Sequence, residues 1–153
     1  MGKPKIPYND RNDLEKIRAQ WKKLSGLHGR EESSAAIIRC ATAAEIAANL
    51  AIRREFEKHT NFSSSTVDGF LAWANGLSGK MNRLLLPLCY GGTKSAEFKQ
   101  FRSLAEEIHL VRNDVVHRGS FSSKEKAGRT IKQAKEFVET LVGHYEQGFK
   151  LSE

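Results

Sequence analysis

The chain has little of what staples or kinks a polypeptide: two cysteines and three prolines in 153 residues. Two cysteines build no disulfide framework. Cys40 and Cys89 lie in apolar surroundings without partner motifs and read as small core residues of a reducing compartment. The scarcity of proline, with only 8% aromatics, excludes collagen-like, Pro-rich and low-complexity classes. Uninterrupted apolar runs such as Leu84 to Leu86 fall far short of the ~20 residues that cross a bilayer. Residues Met1 to Tyr8 are rich in Lys and Pro and lack the apolar stretch of a signal peptide. Ile6 stands where N-myristoylation requires Ser or Thr. The expectation is a cytoplasmic protein with no membrane partner.

Metal and cofactor motifs are also missing. No CxxC, HxxxH or HExxH occurs. His109 and His117 are two helical turns apart, about 12 Å along a helix axis, too far to share an ion within one protomer. Gly91-Gly92-Thr93-Lys94 is a scrap of a phosphate loop without its strand or glycine spacing, and reads as a turn before a helix. GxSxG is not present. No cofactor and no metal are expected.

What is present is an ordinary globular composition, 39% hydrophobic and 28% charged. The length suits one domain spanning 1–153, which buries roughly 70% of its unfolded surface. The net charge is +7. That excess suits a polyanionic partner such as nucleic acid, or marks no more than a soluble basic protein.

Apolar residues recur at helical spacing throughout. A first helix is expected from about Asn9 to Leu24, carrying Leu14, Ile17, Trp21 and Leu24, capped by Asn9 or Asp10 and ended by Ser25-Gly26 and His28-Gly29. A second, rich in alanine, runs from about Ser33 to His59 with Ile37, Cys40, Ala41, Ala44, Ala48, Ile52 and Phe56 in one stripe, as befits a central helix. A third, Thr66 to Leu86, should bend near Gly76 to Gly79 and end at Pro87. The fourth, Ser95 to His117, has the most regular stripe: Phe98, Phe101, Leu104, Ile108, Val111 and Val115. A capping box from Ser122 to Glu125 opens the last helix, with Ala127, Ile131, Ala134, Phe137, Leu141 and Tyr145 on one face. Phe149 to Glu153 reads as a frayed tail. No strand-like alternation appears, so the fold class is all-α: an antiparallel bundle of about four to five helices, with its core at about 33–145.

One segment carries chemistry-bearing residues: Arg112-Asn113-Asp114-Val115-Val116-His117. Histidine titrates near neutrality, as acid–base work requires. Arginine offers a permanent fork of donors suited to phosphate. Asn113 lies one turn before His117 and can meet it. On an ideal helix Arg112 and His117 diverge by about 140°, so a second copy of the chain would help close a site. Structural roles compete with this reading: Arg112 can pair with Glu45, and His117 can complement the helix C-terminus.

The segment resembles the Arg-x4–6-His motif of the HEPN superfamily in its Arg-Asn-x-x-x-His form. Gly119, the regular last helix from Lys124 to Val142 and the alanine-rich helix bearing Glu45 are similar to that superfamily's layout from about Ser33 to Val142. The resemblance implies a helical bundle that often forms a homodimer around the motif. It implies metal-independent cleavage of RNA to a 2′,3′-cyclic phosphate, in toxins or defence nucleases. Carried over, His117 is general base or acid, Arg112 stabilises charge on the phosphate and Asn113 orients one of them. Arg102, Arg118, Lys124 and Arg129 are candidate RNA-binding residues near the motif, or a solvated face. Asp114 lies one position off the motif's polar residue, where its charge would disfavour phosphate if it faced the cleft. The alternative the resemblance allows is a non-catalytic interaction module pairing with a nucleotidyltransferase-like antitoxin.

Overall fold

A computed structural model describes residues 6–29, 32–89, 93–118 and 123–151, with backbone only for 93–95. Among these residues the chain is all-α and no strand occurs. The helices are α1 (Asp13–Gly29), α2 (Ser33–His59), α3 (Ser64–Trp73), α4 (Gly76–Lys80), α5 (Leu86–Leu88), α6 (Thr93–Gln100), α7 (Arg102–Arg118) and α8 (Lys124–Gly143). A 3₁₀ turn at Tyr8–Asp10 precedes α1, and a π turn at Met81–Leu85 joins α4 to α5.

The second helix is the axis of the molecule. Its alanine stripe is buried, and so is the opposite side through Ala43, Ile46, Ala47 and Leu50. A helix apolar on most sides packs against several neighbours; α1, α7 and α8 pack against it, and α4 joins them on one side. Short alanine side chains permit that close approach. Contrary to the expectation from short apolar runs, α2 is long and apolar enough to cross a membrane by length and composition. Its apolar window has a mean hydropathy of 1.5, and 61% of it is buried among the other helices, as in a core helix.

Several boundaries differ from the sequence reading. The α1 cap is Asn12, whose Oδ1 accepts the Glu15 N–H at 2.8 Å while the Glu15 carboxylate accepts the Asn12 N–H at 3.4 Å. This reciprocal pair starts the helix after Asn9 and Asp10. At its other end α1 continues through Ser25-Gly26 to Gly29, because Trp21 and Leu24 anchor it in the core. The third block breaks at Ala74 and Asn75, before Gly76, and its last turn passes Pro87 to Leu88. The widened π turn ends two residues before Pro87, which has no N–H to offer. The fourth block is two helices, parted at Phe101, with Phe98 and Ile108 both fully buried on either side. The cap of α8 is Ser123, whose Oγ accepts the Lys126 N–H at 3.1 Å; Ser122, Gly91, Gly92 and Gly119 lie outside the described residues.

The C-terminal segment is docked rather than frayed. Phe149 and Leu151 are each 6% exposed. The Leu151 N–H donates to Glu139 at 2.7 Å, and the Arg18 guanidinium covers the Phe149 ring at 4.6 Å. The apolar core therefore runs from Ile17 to Leu151, wider than 33–145 at both ends.

Candidate functional site

Four polar side chains of α7 open onto one pocket. His109, Arg112, Asn113 and His117 line it from α7, Ala41, Thr42 and Glu45 from α2, and Asn75, Gly76 and Leu77 from the α3–α4 junction. Its volume is about 290 Å³. On the helical wheel His109 and Asn113 fill the arc between the diverging Arg112 and His117. The motif residues thus border a single concavity within one protomer, which the 140° divergence alone did not suggest.

Asn113 organises this wall. Its Oδ1 accepts from Arg112 Nη1 at 3.3 Å, and its Nδ2 lies 3.1 Å from His109 Nε2. With the amide oxygen turned to Arg112, the amide N–H donates to Nε2, so a neutral His109 carries its proton on Nδ1. Asn113 therefore meets the histidine one turn before it, not His117 one turn after as the sequence suggested. His117 stands exposed at the rim. Gly76 sits beneath His109 with φ +82°, where a Cβ would come within 3.4 Å of His109 Cε1. Glycine alone adopts this backbone freely, and here it also clears space for the imidazole.

Glu45 does not pair with Arg112. Its carboxylate accepts from Lys80 Nζ at 3.0 Å, while the same ammonium donates to the carbonyls of Leu71 at 3.2 Å and Ala74 at 3.4 Å. Lys80 is 5% exposed, so one buried cation closes the C-terminus of α3 and holds the acid at the pocket wall. Ser78 Oγ and Asn82 Nδ2 both bond Glu106, at 2.5 and 3.3 Å, tying the α4 turns to α7. Asp114 lies off the pocket and pairs with Arg118 at 3.6 Å. It therefore presents no charge to a phosphate bound there.

The basic residues named from the sequence are not gathered at this pocket. Arg118 is tied to Asp114 on the exposed end of α7. Arg102 opens the other end of that helix, about 24 Å away along its axis. Arg129 lines a separate shallow groove between α7 and α8 with Glu107 and Lys126. Lys124 is exposed at the start of α8.

Sequence reasoning missed His109 as a site residue. The available signal was its position three residues before Arg112 and four before Asn113, on the same helical face. Lys80 and Gly76 had no such signal, since Gly76 reaches the pocket and Lys80 reaches its wall residue Glu45 through tertiary packing. Among the described residues no group of three or more His, Cys, Asp or Glu side chains is placed to hold a metal ion. No family model, curated protein or solved structure matches this chain.

Proposed function

We propose that the chain is a metal-independent endoribonuclease of the HEPN type, acting in the cytoplasm as a toxin or defence protein. The observation that carries this reading is the convergence of Arg112, Asn113 and His117, with His109, on one polar pocket. In the reaction the ribose 2′-oxygen attacks the adjacent phosphorus and the P–O5′ bond breaks. The products are a 2′,3′-cyclic phosphate and a free 5′-hydroxyl. One imidazole takes the 2′-OH proton and a protonated one supplies the proton to the leaving oxygen. His117 at the rim holds one of these roles. His109 in the same pocket is the second imidazole; either role requires its Nε2 to give up the Asn113 N–H. Arg112 meets the charge that builds on the phosphate.

The assembly belonging to this reading is a homodimer of single-domain antiparallel bundles joined along α7. Leu110 and Val116 on that helix are 59% and 42% exposed, an apolar surface suited to a symmetric contact. A non-catalytic module that pairs with an antitoxin is the second reading. Trp73 and Phe62 favour it, at 59% and 51% exposed on the α3 side.

The deciding experiment is RNA cleavage by the purified protein in EDTA, with product ends identified by mass spectrometry. Cyclic phosphate ends are expected. His117→Ala should slow cleavage ~10²–10⁴-fold and Arg112→Ala ~10²–10³-fold. Circular dichroism should be unchanged for His117→Ala, because the side chain is exposed. No cleavage by wild type, cleavage only with added Mg²⁺, or unfolding of His117→Ala each overturns the catalytic reading in favour of the module.

A further inference from the structure

Away from the pocket, a groove of about 1030 Å³ along α1 is lined by an excess of positive charge. Five cations line it, Arg11, Arg18, Lys22, Lys23 and Arg39, against one carboxylate, Glu15. Some cations elsewhere are matched: Arg53 pairs with Asp13 and Asp68, Arg54 with Glu146, Lys80 with Glu45. The groove arginines are held instead by neutral acceptors. Arg11 Nε donates to the Ile6 carbonyl at 2.9 Å, Arg18 to the Lys150 carbonyl at 3.2 Å and Arg39 to Gln20 Oε1 at 3.0 Å. Among the described residues none of the five cations forms an ion pair with a carboxylate. Their guanidinium forks are thus oriented while their charge stays unneutralised, the condition for binding a polyanion.

The groove also leads to the pocket. Arg39 and Thr42 are one turn apart on α2, about 4.5 Å along its axis; Arg39 lines the groove and Thr42 the pocket. Ile38, one turn before Thr42 on the same helix, is 37% exposed. We propose that this groove is the track that binds the phosphate backbone of single-stranded RNA and delivers it to the pocket. The inference rests on the ribonuclease reading only in naming RNA as the polymer. A charge row spread along a helix face suits a polymer of regular charge. It reads no base, so binding should be sequence-tolerant and strongly salt-dependent.

The test is fluorescence anisotropy of the intact protein with a labelled, fully 2′-O-methylated single-stranded RNA. This probe lacks the 2′-OH nucleophile, so binding is measured free of cleavage. Each phosphate contact contributes about 0.7 to the salt slope on single strands. The variant Arg11→Gln/Lys22→Gln/Lys23→Gln should therefore flatten the log–log slope by about 2 and weaken binding on the order of tenfold to a hundredfold at 0.1 M salt. Lys22→Gln/Lys23→Gln, which changes only exposed side chains, should flatten it by about 1.4. An unchanged slope in the groove variants, or flattening by Arg118→Ser/Lys124→Ser/Arg129→Ser instead, overturns the proposal. So does failure of wild type to bind at low salt, which turns attention to an acidic protein partner. If the groove variants lose binding and wild type cleaves no unmodified RNA, the groove stands and the catalytic reading falls.

Discussion

Replacing Lys80 separates the packing role of its stem from the electrostatic role of its head. The side chain is 5% exposed, and Lys80→Ala deletes three buried methylenes at about 0.8 kcal/mol each, roughly 2.4 kcal/mol. It also removes the donor from the Leu71 and Ala74 carbonyls at the end of α3. Stranding buried acceptors costs about 1–3 kcal/mol, and release of the buried ammonium offsets part of that. The Glu45 side chain is 36% exposed, so loss of its partner is screened and adds less than about 1 kcal/mol. The expected total is about 3–5 kcal/mol. Lys80→Met keeps an apolar stem of nearly the same reach, so it should cost only the polar part, about 1–3 kcal/mol.

Urea denaturation followed by tryptophan fluorescence reads both variants. With an m value of about 2 kcal/mol/M, Lys80→Ala should lower the midpoint by roughly 1.5–2.5 M and Lys80→Met by about half that. Equal losses in the two variants would mean that the stem is not buried. Losses below about 0.5 kcal/mol in both would mean that the ammonium does not close α3, and the pocket wall built on it would be wrong.

Gly76→Ala should lower stability by about 1–2 kcal/mol, from its left-handed backbone and the 3.4 Å contact with His109. Gly79→Ala, at ordinary φ and contact distance within α4, should be neutral or stabilising by up to about 1 kcal/mol; thermal melts compare the two. Burial raises the Asp13 carboxyl above its usual value of 3.8, although Arg53 and Lys16 pull it down. The folded state thus binds that proton more tightly than the unfolded state. This contribution is full below 3.8 and lost as pH rises through the folded value. Asp13→Asn should therefore be at least as stable as wild type at pH 7, a result read from denaturation at pH 3 and 7. Burial pushes the fully buried Cys40 thiol up to about 12. In a Cys89→Ser background a thiol reagent at pH 8 should label it only on unfolding, and prompt labelling of the native protein would contradict its placement.

The helices legible in sequence were those whose apolar stripe ends where their capping chemistry lies. The stripe of α2 gave both ends, Ser33 and His59, and α8 was placed at Lys124 although the neighbouring serine is the cap. The break at Phe101 was hidden because the apolar steps run through it without a glycine or proline to mark it. The tail at Phe149 was misread for a related reason. Gly148, at φ +78°, looks like an end, yet it is the hinge that returns two apolar residues to the core. For the tail the deciding contacts are with Arg18 and Glu139.

The pocket follows the same pattern at finer scale. Read along α7, Asn113 stands four residues from both His109 and His117, and helical spacing permits either partner. The choice is made by groups outside the repeat. Arg112 takes the amide oxygen and turns the N–H away from itself. Gly76, on another segment, leaves the room in which the His109 ring can lie against that N–H. His117 is thereby left exposed at the rim, free to meet a ligand, while His109 is oriented and backed by protein. Two imidazoles in one pocket, one fixed and one free, thus have different surroundings. That asymmetry arises from a carboxamide flip and a missing methyl group, neither of which is visible in the order of residues from Arg112 to His117.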